Sequence, residues 1–567
     1  MSQCFGSQTP LPGVSALGVS GPQKLNHLWS ASSFLFLEGL LTVLKTSLRS
    51  FHTCICQILG VKQKLISALV LSASSIAAVS VASSPAEAQT SAASTCGKPG
   101  NGYGELFSSL PNATWETSDL QALSLAMIAP AEANPNPQIE ADLEDNNAIP
   151  AAYTYFGQFI DHDITFDDRA NDLTTPVSPS ALVNKRSPQL DLDSLYGSGP
   201  TASPTLYNAD SMHLLIGAAL TGSSDVGAMD LPRDANGQAL IGDPRNDENR
   251  IVAGIHSLFI RFHNKTVDRI NANNRRLTNA QVFAQARKEV TYAYQWIVLN
   301  DYLPQIAGQK TKEAVVSLTA KGWKTNLRIY NNCAQMPVEF AVAAYRFGHS
   351  QVRALYKINQ ATDRVPVFSG TFVSASDLTG FTPSPSTFAI DWNLFLPSRP
   401  GATGTFQPSY KIDGSLTHSL SLLPLPTTGI GPANLAMRNL LRGQQVGLAS
   451  GQDVARALGV TPLTDAQIKI GAANGIATDQ RPITEISANF AGKAPLWVYV
   501  LAEAAANPNV NRLGPVGGRI VVETIVGLLK SDPTSILNNS SYRPTVNGRP
   551  TTTFGLRSLV NLVTSLR

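Results

Sequence analysis

From residue 151 onward, apolar side chains recur mainly at helical rather than strand spacing. Over 251–271, Ile255, Leu258, Phe259, Phe262 and Val267 share one face. Over 279–303, Val282, Ala286, Val290, Tyr294 and Ile297 do the same, and Pro304 is expected to end that helix. Further helices are predicted at 337–356, 432–441, 451–458, 496–506 and 518–529. Period-two alternation is scarce, and 363–430, broken by Pro, Ser, Thr and Gly, reads as a long connection with room for a short hairpin. Residues 89–150, rich in Asn, Pro, Gly and Ala, read as an extended N-terminal arm. No internal repeat is present. The expected fold class is mainly α, with few short strands and one catalytic domain over 151–567.

At 567 residues the chain could hold roughly three or four average domains, but the helical pattern runs on without a linker. Charged residues are 15% of the chain, against ~25% in an average soluble protein. With 43% hydrophobic residues, this excludes a largely disordered chain. A net charge of +3 with no Lys/Arg block argues against a nucleic-acid partner.

Near the N-terminus, Lys62-Gln63-Lys64 precedes an apolar run over 65–82, diluted by five serines, and then Ala86-Glu87-Ala88. A basic n-region, an apolar stretch and small residues at both recognition positions make a secretory signal over 61–88, cleaved after Ala88. A transmembrane anchor is the competing reading, weakened by the Ser and Ala content. Residues 1–60 then read as an extension upstream of the true start, or as part of a longer targeting region. The mature chain, 89–567, would be secreted or periplasmic with no stable membrane span. Of the five cysteines only Cys96 and Cys333 would survive, and an oxidising compartment permits their pairing without requiring it.

Six histidines follow residue 88: His162, His213, His256, His263, His349 and His418. Neither a His-x-x-x-His helix nor a Cys-x-x-Cys pair occurs in this region, which argues against a zinc hydrolase. Two histidines stand in rich settings. Gln158, Asp161, His162 and Asp163 fall within six positions, and His349 follows Tyr345-Arg346-Phe347-Gly348. Arg245 and Glu248 lie three apart in Gly242-Asp-Pro-Arg-Asn-Asp-Glu-Asn249, either a chemical pair or a solvated turn before a helix. Ser187, Gln189, Asp191 and Asp193 alternate over seven positions, which suits a hard cation or an ordinary polar loop. Asn439 and Arg442 form a polar pair on an otherwise apolar helix.

Taken together and in this order, these motifs resemble the animal-type haem peroxidases, the superfamily of myeloperoxidase, lactoperoxidase and peroxinectin, in its bacterial branch. Leu513-Gly-Pro-Val-Gly-Gly-Arg519 and Trp296 with Asp301-Tyr302-Leu303-Pro304 belong to the same resemblance, which spans about residues 105–565. It implies a haem b cofactor, possible ester links and a bound calcium ion. His162 would be the distal base, with Gln158 and Arg245 orienting and polarising peroxide. His349 would be the proximal iron ligand, and Asn439 would accept its Nδ1 proton. Arg346 and Arg442 would pair with the haem propionates. Asp161 and Glu248 match the ester-forming carboxylates. Asp163, Ser187, Gln189 (through its carbonyl), Asp191 and Asp193 match the calcium ligands.

The residue types suit that chemistry. A neutral imidazole moves a proton between two adjacent oxygens near physiological pH, and an arginine stabilises the charge developing on the departing oxygen. The sequence departs from the family at Asn249, where the mammalian leukocyte member has the methionine of a third haem bond, so a sulfonium link is excluded. Asp193 replaces the usual serine, and two cysteines cannot supply the mammalian disulfides. The expected partners are hydrogen peroxide and small donors such as halides, thiocyanate or phenols. Two rivals remain: a fatty-acid dioxygenase on the same fold and a peroxinectin-like adhesion protein. The dioxygenase branch has its radical-forming tyrosine three residues before the proximal histidine, where this chain has Arg346. Tyr345 is four before, one helical position or about 100° away, and is expected to be a packing residue out of reach of the substrate. No Arg-Gly-Asp or Lys-Gly-Asp supports adhesion.

Overall fold

The computed structural model describes residues 102–131, 142–167, 173–330, 335–369, 376–398, 406–423, 432–507, 511–539, 541–546 and 548–564. The expected extension, the signal over 61–88, the start of the arm and all five cysteines lie outside these residues.

The long helices are α1 (Thr117–Ala126), α2 (Ala151–Ile164), α3 (Arg250–Asn273), α4 (Asn279–Ile297), α5 (Leu435–Gln445), α6 (Leu496–Ala505), α7 (Pro515–Ser531) and α8 (Leu556–Thr564). The sequence pattern had not singled out α1, α2 or α8. Strands among the described residues form two-stranded pairs only, so the chain is mainly α with few short strands.

Local chemistry sets the helix ends. Asn249 caps α3 by accepting from Ile251 N. Thr278 and Gln281 form a reciprocal capping box at α4. Pro515 starts α7, whose free N–H groups at Val516 and Gly517 donate to the buried Glu503 carboxylate. The core joins α2, α3 and α4 through aromatic packing. Phe159 stacks on Phe259 at 5.0 Å, Phe156 stacks on Phe259 at 6.4 Å, and Tyr294 meets both Phe156 and Phe159 edge-on.

Three expectations need correction. Pro304 does not end the helix that starts at Asn279. A π turn over Val298–Tyr302 leads into a short helix, Leu303–Ala307, which places Pro304 in a first turn, where its missing N–H is not needed. The chain turns instead at Gly308, with φ +82°.

The predicted helix over 337–356 is a π turn, Glu339–Ala343, followed by a 3₁₀ turn, Ala344–His349. Side chains claim the carbonyls a regular helix would use: Arg346 Nε donates to Ala341 O at 3.0 Å, and Trp497 Nε1 donates to Arg346 O at 3.2 Å. Residues three apart eclipse in a 3₁₀ turn, so Arg346 and His349 share a face.

The arm is extended only in part. It carries α1, which packs on α5, and two stretches that pair with the body: Tyr103–Gly104 runs parallel to Met336–Pro337, and Asp145–Pro150 runs antiparallel to Pro408–Tyr410. The short hairpin pairs Leu355–Tyr356 with Val365–Pro366, at the edge of the long connection.

Candidate active site

A cavity of about 710 Å³ lies among these elements, within the usual range of roughly 300–1,000 Å³ for ligand sites. Gln158, Asp161 and His162 reach it from α2, Arg245 and Glu248 from the turn before α3, Arg346 and His349 from the 3₁₀ turn, and Arg438 and Arg442 from α5. Gly157 lets α2 approach closely, because a Cβ there would stand 2.5 Å from the Tyr302 hydroxyl.

Arg245 is fixed in advance. Its Nε and Nη2 donate to both carboxylate oxygens of Asp243, and Nη2 also donates to Thr165 O at 2.6 Å and His162 O at 3.1 Å. The guanidinium lies 4.3 Å from the centre of the Phe166 ring. Burial alone would push its pKa down, but the hydrogen bonds and charge of Asp243 hold it above the usual arginine value.

Glu248 accepts from Gln158 Nε2 at 2.5 Å, and its Oε1 lies 3.4 Å from His162 Nε2. Burial alone would raise this carboxyl, yet the His162 contact, the Arg245 charge and the Gln158 bond hold it below the usual range. The backbone of 378–381 pins its turn, with Gly380 N donating to Glu248 O and Phe381 N to Asp247 O. A Cβ at Gly380 would overlap Asp247 O.

Burial, reinforced by the Arg346 charge, pushes His349 down to about 3, so this imidazole is neutral at physiological pH. Its Nε2 makes no hydrogen bond among the described residues. Asn439 is its partner at Nδ1, 2.8 Å away, but with the opposite polarity to that expected: the amide Nδ2 meets His349, while Oδ1 accepts from Arg346 Nη1 at 2.6 Å. An arginine has only donors and therefore claims the amide oxygen. Arg442, expected to be free for an acidic ligand group, bonds Asp167 and Gln445.

The remaining predicted residues gather away from the cavity. Asp163, Asp191 and Asp193 bring carboxylate oxygens within 4.8 Å of one another. Asp163 accepts from Ser194 Oγ and Leu192 N, and Asp191 from Ser187 Oγ. Gln189 is half-buried in the same loop. Burial, together with the charges of Asp193 and Asp191, pushes Asp163 well above the usual range, and Asp193 rises to about 6. Three carboxylates this close could together hold a cation. Gly242 lies against Asp193 O, where a Cβ would stand only 2.4 Å away, so this loop abuts the turn that carries Arg245.

Sequence reasoning gave no role to Asp243, Asn246, His256, Arg438 or Tyr103. An Asp-Pro-Arg order, with the aspartate placed to cap the turn at Pro244, was the available signal for Asp243. The others come together only through folding. Tyr345 also lines the cavity, stacked on Phe340 at 4.4 Å. Its packing role is as expected, but it touches the cavity wall, where exclusion was expected.

A neutral buried imidazole with a free Nε2, a second histidine beside a fixed arginine, and buried guanidinium groups all line one large cavity. Such a set could ligate a metal through His349 and hold an anionic cofactor. A sequence model described as animal haem peroxidase matches residues 169–470, more than half of the chain, and the chain belongs to that family. It is 27% identical to chorion peroxidase of Drosophila melanogaster over 271 residues, covering 47% of this chain and 31% of that protein. The match thus takes in about a third of that relative's length. Among solved structures, Peroxidase A of Dictyostelium discoideum matches with a TM-score of 0.51 at 18% identity, covering 82% of this chain and 92% of that one. A fatty acid alpha-dioxygenase of Oryza sativa matches with a TM-score of 0.53 at 16% identity, covering 80% and 81%. Both likenesses show a shared fold. Family membership implies haem, and the residues fit it: His349 offers a nitrogen donor, and Arg346 and Arg438, whose pKa values burial lowers, would gain from an anionic partner.

Proposed function

We propose that the protein is a haem peroxidase that reduces hydrogen peroxide to water and oxidises small donors such as halides, thiocyanate or phenols. The observation that carries this reading is the presence, in one buried cavity, of His162, an Asp243-held Arg245 and a neutral His349. His349 would hold the iron through Nε2, and Arg346 and Arg438 would take the propionates, with Arg442 joining them by exchanging Asp167 for a propionate. A propionate that engages Arg346 would release the Asn439 oxygen, leaving it free to accept from His349 Nδ1–H. Asp161 and Glu248, both on the cavity wall, would form the ester links. Bound haem would supply the two electrons that peroxide reduction needs and would recover them from the donor.

The chain's own residues handle the proton. His162 takes it from the near oxygen of peroxide at Nε2 and delivers it to the far oxygen as the O–O bond breaks, so that water leaves. Arg245 offsets the negative charge growing on the departing oxygen. Gln158 orients the peroxide. Asp163, Ser187, Gln189, Asp191 and Asp193 would bind calcium, whose charge would hold all three carboxylates ionised. Among the described residues no helix is long and apolar enough to cross a membrane. We further read the chain as exported after cleavage near Ala88, which intact-mass measurement of the secreted product would test; retention of residues 1–60 would oppose it.

Tyr345 on the cavity wall favours examining fatty-acid oxygenation as the second reading. The deciding experiment compares peroxide-dependent oxidation of iodide and a phenol with oxygen uptake on an unsaturated fatty acid, in wild type and Tyr345→Phe. The peroxidase reading expects donor oxidation that Tyr345→Phe leaves intact. Fatty-acid oxygenation abolished by Tyr345→Phe, without donor oxidation in the wild type, would contradict it.

A further inference from the structure

Behind His162 lies a buried polar chain with no part in the chemistry described so far. His162 Nδ1 is 2.9 Å from Asn246 Oδ1, and Asn246 Nδ2 is 3.0 Å from His256 Nδ1. His162 is 4% exposed, and Asn246 and His256 are fully buried. His256 projects from α3, edge-on to Phe159, and its Nε2 has no hydrogen-bond partner among the described residues. The chain therefore ends there.

We infer that Asn246, braced by His256, is a positioning residue that sets which ring nitrogen of His162 carries the proton. The direction of proton transfer rests on the peroxidase reading; the coupling itself does not. An amide offers one accepting end and one donating end, and here each end meets an imidazole nitrogen. The protonation of the two rings is therefore reciprocal. When Asn246 Oδ1 accepts from His162 Nδ1–H, Asn246 Nδ2 must donate to a bare His256 Nδ1. His256 can take that role, since burial pushes its imidazole down to about 3 and keeps it neutral, with its own proton then on the unpartnered Nε2. The result is an unprotonated Nε2 on His162, the nitrogen on the cavity side, in place of the Nε2–H that the Glu248 carboxylate 3.4 Å away would otherwise draw.

The turn that supplies Asn246 also supplies Arg245, and Asn246 N donates to Asp243 O at 3.1 Å. One turn thus fixes both the arginine and the tautomer of the base. Without Asn246, Glu248 beside Nε2 favours the tautomer with Nε2–H, which cannot accept a proton there.

The test uses the full-length, haem-loaded protein and two probes read optically at one pH. Hydrogen cyanide must give up its proton as it binds, so its association rate reports on the base without turnover; the peroxide reaction is the second probe. Asn246→Leu is expected to slow both by about tenfold or more, the loss typical when a partner that orients a histidine is removed. Asn246→Asp, which still accepts from Nδ1–H, is expected to stay within about threefold of wild type, whereas His256→Phe is expected to slow both by more than about threefold. Haem content and resting spectrum should be unchanged in all three. Cyanide association within about twofold of wild type in both Asn246→Leu and His256→Phe would overturn the inference. Should Asn246→Leu fail to fold, His256→Phe and Asn246→Asp decide it. A wild type that binds cyanide but leaves peroxide unreacted would instead contradict the peroxidase reading, and the cyanide rates would still test the coupling.

Discussion

The residues nearest the chemistry are held by partners present before any ligand binds. Asp243 meets Arg245 through two guanidinium nitrogens, so Asp243→Ala is expected to slow the peroxide reaction by about tenfold to a hundredfold while haem binding persists. Stopped-flow rates beside the resting spectrum check this. His162, Arg245 and His349 were legible as residue types in recognisable order. The polarity at Asn439 was not, because it depends on Arg346 reaching across from another element. A second outcome concerns acid stability. His263 bonds Met212 O and Tyr196 OH, and burial lowers it to about 4. A histidine whose folded pKa lies below its unfolded value of ~6.5 contributes stability that is present above that value and lost as pH falls towards 4. Between pH 6.5 and 4.5 each such group costs up to about 1.4 kcal/mol per pH unit. His263→Asn should therefore show a shallower loss of denaturation midpoint over this window than wild type.

Among the elements, α2 carries His162, the proposed base, and its fit depends on Gly157. Ala is usually better than Gly in a helix by about 1 kcal/mol, but here a Cβ would meet the Tyr302 hydroxyl, and overpacking costs about 1–3 kcal/mol. Gly157→Ala is expected to lower the melting temperature and slow the peroxide reaction. Tyr302→Phe in the same chain should recover most of both, because the clashing atom is the hydroxyl oxygen. Helix periodicity made α3 and α4 legible within a few residues, since both present one apolar stripe to the core. It failed at 337–356, where apolar residues follow one another but side chains from α6 and from the turn itself take the backbone carbonyls. It also failed at Pro304, which the preceding π turn converts from a stop into a first-turn residue.

Over the whole molecule, the acidic cluster and the cavity share one frame. Asp163 directly follows His162 in α2, and Gly242 ties the acidic loop to the turn that holds Arg245 and Asn246. Stripping calcium with a chelator is therefore expected to lower the melting temperature by about 5 °C or more and to alter the haem spectrum, with both effects reversed on re-addition. Asp163→Ala with unchanged calcium content would oppose that assignment. The family resemblance already groups Asp163 with Asp191 and Asp193, whereas the contact of Gly242 with Asp193, which ties that cluster to the Arg245 turn, is invisible in sequence. The measurement closest to the central claim is a haem titration of wild type, His349→Ala and His162→Ala, each then mixed with peroxide. Wild type and His162→Ala should bind haem with the same histidine-ligated spectrum, His349→Ala should lose it, and His162→Ala should react with peroxide about 10²–10⁴-fold more slowly than wild type. A His349→Ala protein with the wild-type spectrum, or a His162→Ala protein with the wild-type peroxide rate, would contradict the assignment of these two histidines.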